Sequence, residues 1–151
     1  MSALRFLAFF LLTLSATAQA WDRPPMAKYG AAYRGPELMM VYVAANQAGD
    51  HALVRVTQIN HALDGHIFWT KVRYPEGHPE RAYYLLDDSS RPEGERTLLF
   101  VEDGSAKLSL PDWHGQKRAE IPLTYDRSES AEVLPEHLAT AYEQQLGQTK
   151  P

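Results

Sequence analysis

The chain has 151 residues, with 15 Lys and Arg against 19 Asp and Glu, and it contains no cysteine. Disulfides, thiol chemistry and cysteine-ligated metals or clusters are therefore excluded. The net charge of −4, with no local run of Lys or Arg to offset it, argues against nucleic acid or anionic lipid as a partner.

The first twenty residues read as a cleaved secretion signal. Arg5 is their only charge, Phe6–Leu14 is apolar, and Ala18-Gln19-Ala20 supplies a small-x-small cleavage site. A membrane anchor needs about 20 apolar residues, and this run is roughly half that length. No cysteine is present to carry a lipid. Cleavage after Ala20 leaves 14 basic and 19 acidic side chains, a net charge of −5 on 131 residues. That length suits one domain. Export without disulfides points to a bacterial periplasm, or failing that to secretion, with no membrane insertion after cleavage.

Residues 21–36 read as an extended arm, because Pro24-Pro25 forbid helix and sheet interior. One β-rich domain is expected over 37–147. Glu37 to Ala45 is its first strand candidate. His51 to Leu63 and His66 to Tyr74 flank Asp64-Gly65, which reads as a two-residue type I′ hairpin turn. Arg81 to Leu86 is a further strand. The second Asp-Gly, at 103–104, pairs Glu102 with Ser105 and so places Thr97, Leu99, Val101, Ala106, Leu108 and Leu110 on one apolar face. Lys117 to Asp126 alternates, with Ala119, Ile121, Leu123 and Tyr125 on one side, and Pro122 argues either for an edge position or for a backbone nitrogen that points away from the sheet. A helix over 135–146 follows, started by Pro135 and Glu136, striped by Leu134, Leu138, Ala141, Tyr142 and Leu146, and stopped at Gly147. The fold class is mainly β: an antiparallel meander of about seven strands forming a small barrel or sandwich, with one C-terminal α-helix.

Several residues invite a chemical reading. In the expected 64–65 hairpin, His61 and His66 become diagonal neighbours about 7–8 Å apart, close enough to share a zinc or copper ion with Asp50-His51 or Asp64 as candidate further ligands. Two histidines alone fall short of the three or four ligands such a site requires. No serine sits in a nucleophile motif. Asp87-Asp88 and Glu102-Asp103 fall at strand ends, where acids are ordinary turn residues. Asp126 to Glu132 has oxygen side chains at alternate positions but lacks the central Gly of a calcium loop, and reads as a polar linker. No cofactor is implied, and an enzyme is not expected.

What remains is the aromatic and arginine content of the connections, since Trp, Tyr and Arg dominate protein–protein contacts. Trp113, His114 and Asp112 in the tight turn Asp112–Gly115, together with Tyr33, Tyr74 and Arg91, are the candidate partner-binding residues, with Trp113 equally able to fold back and close the end of the barrel. The expectation is an exported, non-catalytic protein that binds and occludes another exported or periplasmic protein, such as a toxin or a cell-wall hydrolase. An alternative is a barrel holding an apolar small molecule against Phe68, Tyr83, Tyr84 and Phe100. A third is an accessory subunit of an envelope complex.

Overall fold

The computed structural model describes residues 21–148. The expected signal peptide, 1–20, lies outside the described residues. Eight strands form a closed antiparallel barrel in simple meander order: β1 (Ala31–Arg34), β2 (Met40–Ala45), β3 (His51–Thr57), β4 (Ile67–Arg73), β5 (Arg81–Asp87), β6 (Glu95–Glu102), β7 (Ser105–Trp113) and β8 (Gln116–Tyr125). A short helix, α1 (Arg127–Glu132), and the main C-terminal helix, α2 (Pro135–Gln148), follow. The mainly β barrel with its C-terminal helix is the expected architecture. The additional strand is β1, which lies within the stretch expected as an extended arm. It is only four residues long, yet it closes the barrel by pairing with both β2 and β8.

The interior is filled by alternate side chains from all eight strands. Val41, Val43, Val54, Val56, Leu99, Leu108, Leu110, Ile121 and Leu123 are almost fully buried there. Eight strands leave an interior just wide enough for such side chains to fill. A second apolar cluster lies outside the wall. There α2 sets Leu138 and Ala139 on Ala44, Leu53 and Ile67, the outward faces of β2, β3 and β4.

The two Asp-Gly turns behave differently. Around Asp103-Gly104 the register is as expected, with Glu102 opposite Ser105, Val101 opposite Ala106 and Leu99 opposite Leu108. Both turn residues have positive φ, 42° and 75°, as a type I′ turn requires. The ladder stops at Leu99, because β6 bulges next to Leu98 and the expected pairing of Thr97 with Leu110 does not form. Around Asp64-Gly65 only the glycine has positive φ. Strand β3 ends at Thr57, where Gln58 turns left-handed at φ 61°. The pairing is Arg55 with Ile67 and Val54 with Phe68, not Leu63 with His66. The residues between form a wide loop, and Ile59 and Leu63 drop from it into the core. Burial of those two side chains outweighs the local turn preference.

Two further expectations are corrected. The polar linker 126–132 is helical, because the Asp126 carboxylate accepts the Glu129 N–H and caps α1. Helix α2 runs on past Gly147 to Gln148. Pro122 lies in β8 opposite Lys107 of β7, beyond the reach of β1, whose ladder with β8 covers only Tyr33 and Arg34.

The wall has three short seams. The β1–β8 ladder is one; the β4–β5 ladder, limited to Lys71–Arg73, is another; the β6–β7 ladder, which ends at Leu99 and Leu108, is the third. At the first two seams a helix side chain stands in for the missing strand. Ser130 of α1 accepts the Ala32 N–H (2.8 Å) and donates to the Ala32 carbonyl (3.2 Å). Gln145 of α2 does the same at Ile67, accepting from its N–H and donating to its carbonyl, both at 2.8 Å. Edge groups beyond the ends of the ladders are thus given hydrogen-bond partners, the Ala32 carbonyl also accepting the Asp126 N–H at 2.9 Å.

Candidate functional site

Successive connections of a meander barrel alternate between its two ends. The end reached by 35–39, 58–66, 88–94 and 114–115 is called here the plugged end. The opposite end gathers residues 27–30, 46–50, 74–80, 103–104 and the exit of β8 at Tyr125.

The expected partner-binding residues do not form one surface. Trp113 is only 8% exposed and turns into the core, so it closes the plugged end instead of standing out from it. Tyr33, at 7% exposed, is an interior residue. These two are corrected: neither is available to a partner. Asp112, His114 and Arg91 are exposed at the plugged end, where the His114 ring meets the Glu37 carboxylate at 3.1 Å. Tyr74 is exposed at the opposite end, its hydroxyl donating to the Gly49 carbonyl at 3.3 Å.

Three large aromatic side chains stand exposed among the described residues: Tyr29 (76%), Tyr74 (54%) and Tyr125 (43%). All three belong to the end opposite Trp113. Tyr29 lies level with the close of β2, since the next residues, Gly30 and Ala31, run against Val43. Tyr125 was expected among the inward residues of β8; as the last residue of the strand it passes beyond the core and leans edge-on against Tyr33, with ring centroids 5.8 Å apart. Exposed carboxylates flank the set, with Asp50, Glu76, Glu80 and Asp103 on the same connections.

Rigid supports hold this end. The Asp126 carboxylate accepts from Glu129 N–H, from the Arg34 guanidinium (2.7 Å) and from the Ser128 hydroxyl (3.0 Å), and these bonds hold its pKa down at about 2. Next to it, Gly30 is packed so closely under Val133 and the Val43 carbonyl that a Cβ would sit 2.8 Å from that oxygen. Residues 21–30 are themselves clamped. Arg23 donates to Glu143 (2.8 Å), Thr140 (2.8 Å) and Glu136 (3.1 Å) on α2, and the Trp21 ring meets Trp69 and Tyr142 edge-on at 5.2 and 4.8 Å.

That clamp creates a groove of about 790 Å³ between Trp21, Pro24, Pro25, Asn46, Gln47, Asp50, His51 and Trp69. Within it His51 Nδ1 lies 3.1 Å from Asp50 and the imidazole stacks on Trp69 at 5.0 Å. The pairing is a histidine–carboxylate dyad, but no Ser, Thr or Cys lines the groove to serve as its nucleophile. The sequence offers this pair only as a further ligand for a metal at His61 and His66, and the fold places it at the opposite end of the barrel from the 58–66 loop.

His61 and His66 do not converge. Leu63 N–H donates to His61 Nδ1 (3.0 Å), which leaves the Nε2 proton for the Pro111 carbonyl at 2.8 Å. Both ring nitrogens are thereby occupied in bracing the plugged end. His66 packs edge-on against Phe68 at 4.6 Å. The proposed aromatic cavity also separates. Phe68 and Tyr84 pack into the core, where burial pushes the Tyr84 phenol far above its usual pKa, whereas Tyr83 and Phe100 meet each other outside the wall at 4.6 Å. The paired acids serve turns and strand ends: Asp88 binds the Ser90 hydroxyl and amide, and Glu102 pairs with Arg81.

Comparison of the chain with known protein families, with characterised proteins and with solved structures returns no match.

Proposed function

We propose that this is an exported, non-catalytic binding protein that occludes another exported or periplasmic protein, using the barrel end that carries Tyr29, Tyr74 and Tyr125. The single observation carrying this reading is the gathering of all three exposed aromatics of the described residues at that end. Tyrosine brings large apolar area with one polar atom and few rotatable bonds, so little entropy is lost when it is covered. The surrounding Asp50, Glu76, Glu80 and Asp103 favour a basic target and would speed its approach.

The wall and the interior support this reading over its rivals. Outward positions of the strands carry Arg55, Lys71, Arg73, Lys107 and Glu120, and the inward ones are predominantly apolar. A membrane-spanning barrel has the reverse pattern. The packed interior argues against an apolar cargo, whose carrier needs a hollow of a few hundred Å³.

Immobilised wild-type protein and a Tyr29→Ala/Tyr74→Ala/Tyr125→Ala variant, exposed to an envelope extract of the producing cell, test the proposal. Wild type is expected to retain a discrete basic protein that the variant releases. Equal retention by both would refute the assigned surface.

A further inference from the structure

Two of the three short seams are closed by Ser130 and Gln145. The third, between β6 and β7, opens beyond Leu99 and Leu108 into a cleft of about 320 Å³. Its walls carry Thr97 and Phe100 from β6, Lys107 and Ser109 from β7, and Arg118 with Glu120 from β8, and Arg91 reaches it from the β5–β6 connection. Immediately beside Thr97 lies Arg96, whose side chain is 20% exposed and whose Nη1 is buried without a hydrogen-bond partner among the described residues. Its nearest carboxylate, Asp88, stands 3.8 Å from Nε, too far for a hydrogen bond, and already holds Ser90. The positive charges of Arg118 and Arg91 both act on the Arg96 guanidinium, and burial together with those charges depresses its pKa.

Three cations, Arg91, Lys107 and Arg118, therefore line one opening on which Glu120 is the one carboxylate, and Arg96 lies close enough to feel the Arg91 and Arg118 charges, in a chain whose net charge is −4. Like charges placed together repel, and a buried donor left without an acceptor is costly. A multivalent oxyanion relieves the repulsion, because it brings opposite charge and several acceptor atoms to the exposed guanidinium and ammonium donors of the lining, and its charge offsets that of Arg96 behind them. We infer that the open β6–β7 seam is a binding site for a phosphate-type oxyanion, with Arg91, Lys107 and Arg118 as its contacts and Arg96 as the charge behind them.

This site stands apart from the tyrosine end and is tested apart from it. Titration calorimetry of the purified protein would use pyrophosphate, inorganic phosphate and citrate, all at one ionic strength set with chloride. Pyrophosphate is expected to bind with one-site stoichiometry, more tightly than phosphate or citrate. An Arg91→Gln/Arg118→Gln variant, both positions being exposed, should bind pyrophosphate at least about tenfold more weakly through loss of charge-assisted hydrogen bonds, with an unchanged circular dichroism spectrum. The triple tyrosine variant should bind it as wild type does. No heat above the chloride blank, unchanged affinity in the double arginine variant, or citrate binding as tight as pyrophosphate would each overturn the assignment.

Discussion

The two ends of the barrel treat their aromatic side chains in opposite ways. At the plugged end Trp113 is driven into the core, His61 braces the Pro111 carbonyl, and Ile59 and Leu63 fold in from the 58–66 loop. Five non-glycine residues there, Glu37, Leu38, Gln58, Asp112 and His114, hold positive φ. Such backbone is strained, and it persists only where the surrounding packing over-determines it. At the other end Tyr29, Tyr74 and Tyr125 face solvent, and the one non-glycine residue with positive φ is Asp103 in its type I′ turn. Loop side chains are thus spent on the core at one end, and aromatic surface is left facing solvent at the other.

The largest expected effect falls on the plug. Trp113→Ala removes a buried indole and should cost about 3–5 kcal/mol in urea unfolding, whereas His114→Ala, at the next residue of the same turn but exposed, should change stability by less than about 0.5 kcal/mol. Equal costs would dissolve the distinction between the buried and exposed members of that turn. Next come the seam substitutes. Ser130→Ala leaves the Ala32 N–H and carbonyl without their hydroxyl partner, and Gln145→Leu does the same at Ile67. Each should cost about 1–3 kcal/mol, and hydrogen exchange should show faster opening at Ala32 and Ile67 respectively.

A smaller effect, visible only in acid, belongs to Asp126. Its folded pKa of about 2 lies below the ordinary value of 3.8, so its contribution is present above pH 4 and is lost as pH falls from about 4 towards 2. Asp126→Asn should flatten the stability profile over that window, and a profile with the wild-type slope would contradict the capping and Arg34 interactions. The smallest effect on stability is expected at the tyrosine end, where the triple alanine variant should lose less than about 1 kcal/mol while losing its partner.

Legibility in the sequence followed the range of the interactions involved. The 103–104 hairpin was readable because the turn chemistry and the apolar alternation of Leu99, Val101, Ala106 and Leu108 agree over adjacent residues. The 64–65 hairpin misled because Asp-Gly suggested a turn locally, and only the core decides that Ile59 and Leu63 are plugs. Strand β1 was hidden by its length: Ala31–Arg34 has no period to read, and its position depends on β2 and β8. Arg91, Arg96, Lys107 and Arg118 form no run in the chain, so the basic cleft emerges only when β6, β7 and β8 are laid side by side. For Trp113 the turn position and the usual burial of tryptophan point opposite ways, to a presented tip or to a ring folded back over the barrel end, and the core decides for the second. Tyr125 erred in the other direction, since strand alternation says which face a residue takes but not where the core ends.

The contrast between the ends can be tested by site-specific photo-crosslinking. A benzoylphenylalanine placed at Tyr29, Tyr74 or Tyr125 in turn, and at Asp112 or His114 as the opposite-end control, would be irradiated in the producing cell. The account predicts one common adduct mass from the three tyrosine positions and no adduct from Asp112 or His114. The reverse pattern, or adducts of unrelated mass from all five positions, would contradict it.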